Sequence, residues 1–284
     1  MRTFSDLEIQ EICNMYVNNK ESISQIARLK NSYPARIRKI LVDNNITILK
    51  NPRTKNKFLR EDYFEKIDTE EKAYFLGLLF TDGCIRLSHD GRQNQVRLEL
   101  QLQDKYMLEK LKEELCSDSK LTFTKKKNKS GTFSESAILS IRSNKIVQDL
   151  KKYGIIEKKT YLTKHLPNIP EPFQKDFLRG LIDGDGSIYF TSCFNKEKQV
   201  YYDKKVIYFC DYSKSVCEDF RKMCLPFLSR DCCPFPKKEG QKELYRITFT
   251  KQSDVKELTT ALYKDNKVCL TRKYELAKRI FEYN

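Results

Sequence analysis

The spacing of apolar and polar positions divides the chain into a short helical region and a longer region where helices and strands alternate. Before residue 50, apolar residues recur every three or four positions in three stretches, which predicts three short helices. Further on, strict two-residue alternation appears, most clearly in QVRLELQLQ, where Val96, Leu98 and Leu100 alternate with polar side chains. The pattern predicts an all-α domain over residues 1–50 followed by an α+β region.

The α+β region contains one order of elements twice. Each copy reads helix, two strands, helix, two strands, helix, and placing Val147 opposite Val255 aligns the two copies. We assign them to residues 66–165 and 166–284, the first half and the second half, with a basic linker at residues 51–65 before them. An internal duplication of this kind predicts pseudo-two-fold symmetry, with the two sheets side by side.

Each half opens with a mostly apolar helix that stops at an acid followed by glycine. YFLGLLFTDGCI and FLRGLIDGDGSI align without gaps, so that Gly77 matches Gly180 and Asp82 matches Asp185. Because the two glycines lack side chains, we expect the two helices to pack closely at this point. That contact would bring Asp82 and Asp185 together at the C-terminal ends of the helices.

Paired carboxylates at two helix ends predict a metal site. They repel each other, and the negative ends of both helix dipoles add to the repulsion, unless a cation lies between them. Oxygen ligands favour a divalent metal, most simply Mg²⁺, with Ca²⁺ or Mn²⁺ as substitutes. The backbone carbonyl groups of Thr81 and Gly184 are further candidate ligands. The glycines after the acids, Gly83 and Gly186, are expected to take positive φ at the helix ends.

These residues resemble the two motifs of a single-chain LAGLIDADG homing endonuclease. The second motif is nearly the family string, whereas the first has Phe80 where the family has its first acid. The resemblance implies a duplicated αββαββα core with the motif helices on the symmetry axis. It also implies cleavage of both strands of a long DNA target across the minor groove, and because the halves differ in sequence we expect that target to be non-palindromic.

A lysine borders the active site in each half of the family's proteins. In the alignment of the two halves, Lys159 falls opposite Lys273, and these are the matching candidates. Asp82 and Asp185 would hold the metal, and the lysines would stabilise developing charge or orient water. The alternative for Lys159 and Lys273 is that they are two of many surface lysines.

The net charge is consistent with a nucleic-acid partner. The chain has 54 Lys and Arg residues and 39 Asp and Glu residues, which gives a net charge of +15. The three N-terminal helices resemble a helix-turn-helix, which would place Tyr33, Arg36 and Arg38 toward a DNA groove. The alternative is a generic three-helix bundle with a solvated basic face.

Polar strand faces are the predicted readers of DNA sequence, because long polar side chains can reach base edges in the major groove. In the first half the candidates are Arg86, Gln95, Arg97, Gln101 and Arg142; in the second they are Tyr189, Thr191, Lys205, Arg246 and Thr248. An ordinary solvated sheet face is the alternative. A polar loop is predicted at residues 195–203, and the strand KKVIYFCD after it is apolar on both faces, so its orientation stays open.

Two other functions are open on the same fold. One is a maturase that binds intron RNA, and the other is a DNA-binding transcription regulator, but intact acids at positions 82 and 185 favour cutting. Ten scattered cysteines without a CxxC pair predict reduced thiols in a cytosolic protein. We expect a cytoplasmic location in a bacterial, phage or organellar-matrix context. Because no apolar run approaches about 20 residues, no membrane contact is expected. We expect a monomer.

Overall fold

The computed structural model describes residues 4–19, 21, 23–48, 58–88, 93–128, 130–157, 162–229, 235–239, 242–266 and 268–282. It divides the chain into two compact units, Met1–Lys57 and Phe58–Asn284. The predicted linker 51–65 therefore ends earlier in the structure. Tyr63 and Phe64 are buried in the core of the second unit, whereas residues 51–57 lie outside the described residues.

The first unit consists of helices α1 (Asp6–Val17), α2 (Ile23–Leu29) and α3 (Pro34–Asp43). Ser5 starts α1 with a capping box, in which its hydroxyl accepts from the Glu8 backbone N–H and the Glu8 carboxylate accepts from the Ser5 N–H. The three helices share one small apolar core, formed by Ile12, Ile26, Ala27, Ile37 and Leu41. The predicted all-α character of this region is confirmed.

The second unit begins with the elements of the first half. They are α4 (Glu70–Asp82), β1 (Gly83–Arg86), β2 (Gln95–Gln101), α5 (Lys105–Glu114), β3 (Thr122–Lys127), β4 (Phe133–Arg142) and α6 (Asn144–Lys152). The strands form an antiparallel sheet in the order β1-β2-β4-β3.

The second half repeats this order. Its elements are α7 (Gln174–Asp185), β5 (Gly186–Asn195), β6 (Val200–Asp211), α8 (Lys214–Cys224), β7 (Phe235–Glu239), β8 (Lys242–Phe249), α9 (Gln252–Tyr263) and α10 (Thr271–Glu282). Its sheet has the order β5-β6-β8-β7, the same as in the first half. The predicted duplicated α+β core is confirmed.

Strand register shows how closely the halves correspond. Gly83 pairs with Leu98 in the first sheet, and the matching Gly186 pairs with Phe209 in the second. Leu98 in turn pairs with Leu139, as Phe209 does with Ile247. Leu139 and Ile247 are the residues that the alignment of Val147 with Val255 places opposite each other, so the internal alignment holds strand by strand.

Two features of the second half differ from the sequence prediction. The polar loop predicted at residues 195–203 is shorter, because β6 already begins at Val200 and only residues 196–199 connect it to β5. The chain also ends in an additional helix, α10, which the sequence pattern had not assigned. In the described part of the chain, no helix is long and apolar enough to cross a membrane.

Candidate active site

Helices α4 and α7 cross at their glycines with almost no space between the backbones. A Cβ atom added to Gly77 would lie 2.4 Å from the carbonyl oxygen of Phe177, and one added to Gly180 would lie 2.3 Å from that of Tyr74. Tyr74 and Phe177 are matching positions of the two motifs, so the contact is reciprocal. The predicted helix interface is therefore present, and it has the two-fold character that the duplication requires.

The same crossing brings the acidic helix ends together. A Cβ atom added to Gly184 would lie 2.7 Å from Oδ2 of Asp82 and 1.9 Å from the Thr81 hydroxyl oxygen. The first acid therefore lies directly against the residue that precedes Asp185. Thr81 donates a hydrogen bond to the carbonyl oxygen of Leu78 at 2.9 Å and also contacts the Asp82 carboxylate at 3.2 Å. Two carboxylates from two halves thus share one end of the helix pair.

The glycines that follow the acids, Gly83 and Gly186, do not have the positive φ predicted for them. Gly83 and Gly186 have φ of −81° and −93°, an extended backbone rather than the predicted positive φ. Each begins a strand directly, and a side chain there would collide with the preceding helix turn. A Cβ at Gly83 would lie 2.4 Å from the Leu79 carbonyl oxygen, and one at Gly186 would lie 2.6 Å from the Ile182 Cα.

Lys273, in the first turn of α10, is buried, with 4% of its surface exposed. Its ammonium group donates to the carbonyl oxygens of Asp183 at 2.7 Å and Gly186 at 2.8 Å, and also to that of Ile182. These carbonyls lie on both sides of Asp185, so Lys273 closes the C-terminal end of α7. Lys159, its predicted counterpart, lies outside the described residues.

Burial sets the charge behaviour of Lys273. Removal from water lowers the pKa of its ammonium group to about 8, although the negative charges of Asp183, Asp82 and Asp185 act in the opposite direction. The lysine is therefore mostly protonated at neutral pH. It places a positive charge close to both site acids while its hydrogen bonds are directed at the backbone.

Asp183 was not a functional candidate in the sequence, yet its buried carboxylate links three segments of the chain beside the site. Its carboxylate accepts hydrogen bonds from the hydroxyls of Tyr74 and Tyr263, both at 2.8 Å, and from the backbone N–H of Leu270 at 2.7 Å. Burial raises the pKa of this carboxyl, while the charge of Lys273 and these donors act against the rise. Phe80 occupies the matching position of the first half and is buried among apolar residues.

A pocket of about 220 Å³ opens beside Asp185. Phe80, Thr81 and Thr163 form one part of its wall, and Cys210 and Asp211 at the end of β6 form another. The Cys210 thiol lies 3.4 Å from the backbone oxygen of Asp185. In the described part of the chain, no group of three or more His, Cys, Asp or Glu side chains is arranged to hold a metal. Asp82 and Asp185, at the ends of α4 and α7, therefore remain the candidate ligands.

All five reader candidates of the first half lie on one face of their sheet. The register pairs Arg86 with Gln95, Gln95 with Arg142, and Gln101 with Ser136, and directly paired residues point to the same face. Arg97 belongs to the same alternating set on β2. The opposite face carries Val96, Leu98 and Leu100 and packs into the core. The structure therefore brings together the polar face that the sequence predicted.

Glu99 is an acid in the middle of this basic face. It forms an ion pair with Arg97 at 2.6 Å and another with Lys126 at 3.2 Å, and it accepts a hydrogen bond from Ser136 at 2.7 Å. The hydrogen bond from Ser136, with those from Lys126 and Arg97, lowers the pKa of the Glu99 carboxyl despite its partial burial. Glu99 therefore stays ionised and fixes the direction of the Arg97 guanidinium.

In the second half, four of the five reader candidates share one face. The register places Tyr189 opposite Val206, and Thr191 opposite Lys204. Arg246 and Thr248 of β8 pair with the next residues on the same side of β6, Cys210 and Tyr208. The guanidinium of Arg246 stacks on the Tyr208 ring, 4.3 Å from its centroid.

The predicted position of Lys205 on the polar sheet face is wrong. Lys205 pairs with Phe190, which puts it on the other face of the sheet, and the side chain of Gln252 hydrogen-bonds both its backbone N–H and its carbonyl oxygen. Lys204 is the lysine on the polar face. The sequence could not separate the two faces, because Val206 and Ile207 are both buried although they point in opposite directions.

The three DNA-contact candidates of the N-terminal unit lie at or just before α3. Tyr33 immediately precedes the helix and is 81% exposed, and Arg38 is exposed within it. The guanidinium of Arg36 lies over the Phe4 ring at 4.9 Å. Residues 30–33 form the turn between α2 and α3, a length typical of helix-turn-helix units.

Comparison with known proteins identifies the fold. The meganuclease I-SmaMI, solved bound to uncleavable DNA, matches with a TM-score of 0.50 and 16% identity, over 75% of this chain and 90% of that one. The LAGLIDADG homing endonuclease I-LtrWI, solved bound to its target DNA, matches with a TM-score of 0.50 and 14% identity, over 78% of this chain and 91% of that one. No protein-family model and no curated protein matches the chain. At this level of identity the likeness shows the fold, which is that of the LAGLIDADG homing endonucleases.

Proposed function

We propose that the protein is a site-specific DNA endonuclease that makes double-strand breaks in a long, non-palindromic target. The observation that carries this proposal is that Asp82 and Asp185 end two helices packed against each other, with the Asp82 carboxylate against Gly184, the neighbour of Asp185. The first strands of two polar-faced sheets, β1 and β5, start directly after these acids. The fold shared with nucleases that were solved on DNA supports the same conclusion.

The donor set fits a hard divalent cation. Asp82 and Asp185 supply carboxylate oxygens, and the backbone oxygens of Thr81 and Gly184 precede them in the chain. Because all of these donors are oxygens, Mg²⁺ suits the site, with Ca²⁺ or Mn²⁺ as substitutes. Such a cation, when bound, supplies charge neutralisation at the phosphate and a more acidic water.

The acids and the lysines of the chain have different roles in the proposed reaction. Asp82 and Asp185 hold and orient the reacting groups, one acid for each DNA strand. Lys273 has two effects. Its three hydrogen bonds fix the backbone around Asp185, and its positive charge stabilises negative charge near both acids. Lys159 would do the same for the first half.

Sequence recognition belongs to the two polar sheet faces. Arg97 and Arg246 are its best-placed donors, since each guanidinium is held by a neighbour, and arginine suits guanine edges in the major groove. The two faces differ in sequence, which favours an asymmetric target. The N-terminal unit would add DNA contacts through Tyr33 and Arg38, and because one chain supplies both acids we infer that it acts as a monomer.

A pool of random-sequence duplexes, incubated with the protein and Mg²⁺, tests the proposal when the cut ends are sequenced. One long asymmetric sequence should be enriched at the ends. Asp82→Asn and Asp185→Asn should abolish or strongly reduce that enrichment, whereas Asp118→Asn, at an exposed acid outside both motifs, should not. Uncut DNA, or cutting without sequence preference, would contradict the proposal.

A further inference from the structure

The start of α10, Leu270–Lys273, is fixed by contacts from both halves of the second unit. On the side of the second half, the Leu270 N–H is bound by the Asp183 carboxylate at 2.7 Å. Leu270 immediately precedes α10, so Asp183 satisfies one of the N–H groups that a helix start leaves without an intrahelical partner. Tyr74 and Tyr263 hold Asp183 itself through their hydroxyls.

The first half contributes the next two contacts. The hydroxyl of Tyr106, on α5, accepts from the Thr271 N–H at 2.6 Å and donates to the Cys269 carbonyl oxygen at 3.3 Å. Asp104, in the turn between β2 and α5, pairs with the Arg272 guanidinium at 3.0 Å. The Asp104 side chain is 4% exposed and that of Arg272 is 40% exposed, so the pair joins a buried carboxylate to a guanidinium that water still reaches.

Lys273, the last residue of this segment, connects the start of α10 to the backbone around Asp185. Its ammonium binds the carbonyl oxygens of Ile182, Asp183 and Gly186, which flank Asp185. A shift of α10 would therefore withdraw three hydrogen bonds from the backbone that carries the second acid. The first motif lacks the matching acid, since Phe80 stands in the place of Asp183.

We propose that Asp183, Tyr106 and Asp104 are positioning residues for the Asp185 half of the active site. They hold the start of α10, and Lys273 then holds the metal-binding end of α7. The inference rests on the proposed nuclease function. The position of Asp185 would then depend on α5 and on the turn before it. Both belong to the first half and directly follow β2, the strand that carries Gln95, Arg97 and Gln101.

The test is single-turnover cleavage of the selected duplex at saturating protein, with Mg²⁺ varied. Asp183→Asn, Tyr106→Phe and Asp104→Asn should each lower the cleavage rate or raise the half-saturating Mg²⁺ concentration, by about 10- to 100-fold, as loss of groups that orient metal ligands does. The dissociation constant for DNA should stay within about 2-fold, because none of the three lies on a polar sheet face. Tyr106→Phe removes one partly exposed hydroxyl and keeps the ring, so it remains informative if Asp183→Asn does not fold.

Asp254→Asn is the matched control for the loss of a buried carboxylate. Asp254 accepts hydrogen bonds from Ser229 near the start of α9, about 14 Å along that helix from Tyr263. It should lower the unfolding free energy without changing the Mg²⁺ dependence. Asp104→Asn combined with Arg272→Gln should be no worse than the more impaired single variant, because both remove one interaction.

Three outcomes would overturn the inference. Unchanged rate and Mg²⁺ dependence in Tyr106→Phe and Asp104→Asn would refute it alone and leave the proposed nuclease standing. An equal change in Asp254→Asn would assign the effect to general destabilisation. A wild-type protein that cuts no DNA would remove the proposed function and this inference together.

Discussion

Individual residues at the helix crossing determine whether the two acids meet. Gly77 and Gly180 allow backbone contact, and Gly184 leaves room for the side chains of Thr81 and Asp82. The sequence predicted the contact of the first pair, because the glycines recur at one position of the duplicated motif. It did not predict the extended backbone of Gly83, since a glycine after a helix more often signals a left-handed turn.

Gly180→Ala should weaken the helix pair. The new methyl group would lie 2.3 Å from the Tyr74 carbonyl oxygen, and neither backbone can yield without separating α4 from α7. We expect a loss of about 1–3 kcal/mol in unfolding free energy, measured by urea denaturation. Lys175→Ala on the same helix is the control, and equal stability of the two variants would show that the crossing is looser than described.

Lys273 should give the protein a distinctive alkaline pH dependence. Its folded pKa of about 8 lies below the ordinary value of about 10.4, so between these pH values the unfolded chain binds more protons than the folded one. The cost of burying the charged lysine is therefore relieved as pH rises through this window. The unfolding free energy of the wild type relative to Lys273→Met should increase with pH, by at most about 1.4 kcal/mol per unit. A difference that is flat from pH 7.5 to 10 would contradict the burial argument.

Among the elements, strands are where sequence and structure diverge most. Alternation placed every residue of β2 correctly, because one face packs on the core and the other is polar. In β6 the rule failed, because Val206 is buried opposite Tyr189 on the polar face, and Ile207 is buried in the core. Because a buried apolar residue lies on each face at this point of β6, the contrast on which alternation depends is lost. The prediction for Lys205 failed for this reason.

Opposite sheet faces should differ in their effect on DNA binding. Arg97→Ala should weaken binding to the selected duplex by about 1–3 kcal/mol and relax the preference at one base pair, because an oriented guanidinium is lost. Lys205→Ala removes the same charge from the other face and should leave base preference unchanged. Competition binding with single-base variants of the duplex measures both, and a changed base preference in Lys205→Ala would reverse the assignment of the faces.

In the whole molecule, a duplicated α+β fold is joined in sequence to a small helical unit, and the net charge is +15. Repeated motifs made the duplication visible in the sequence, down to the strand register. Interactions between distant segments stayed hidden, such as Tyr106 with Thr271 or Asp183 with Leu270, since no local pattern records which remote groups satisfy each other. The support of the active site was therefore the part that only the structure supplied.

The N-terminal unit should add affinity without choosing the cut. Arg38→Ala should weaken binding and lower the slope of log affinity against log salt by about 1, as loss of one phosphate contact does. The cut position should not move, because both acids belong to the second unit. Lys112→Ala on α5 removes one charge from the helix layer and serves as control. A salt slope that Arg38→Ala leaves unchanged would show that α3 does not contact the DNA backbone.

The most direct test of the central claim is cleavage of a duplex that joins the sequences flanking this protein's gene. Wild type, Asp82→Asn and Asp185→Asn would each be assayed with Mg²⁺ and with Ca²⁺, and both strands would be mapped. The account predicts a Mg²⁺-dependent double-strand break by the wild type, which either substitution abolishes or reduces to a nick. Tight binding of this duplex without cutting in either metal would contradict the claim that the paired acids form a nuclease centre for this site.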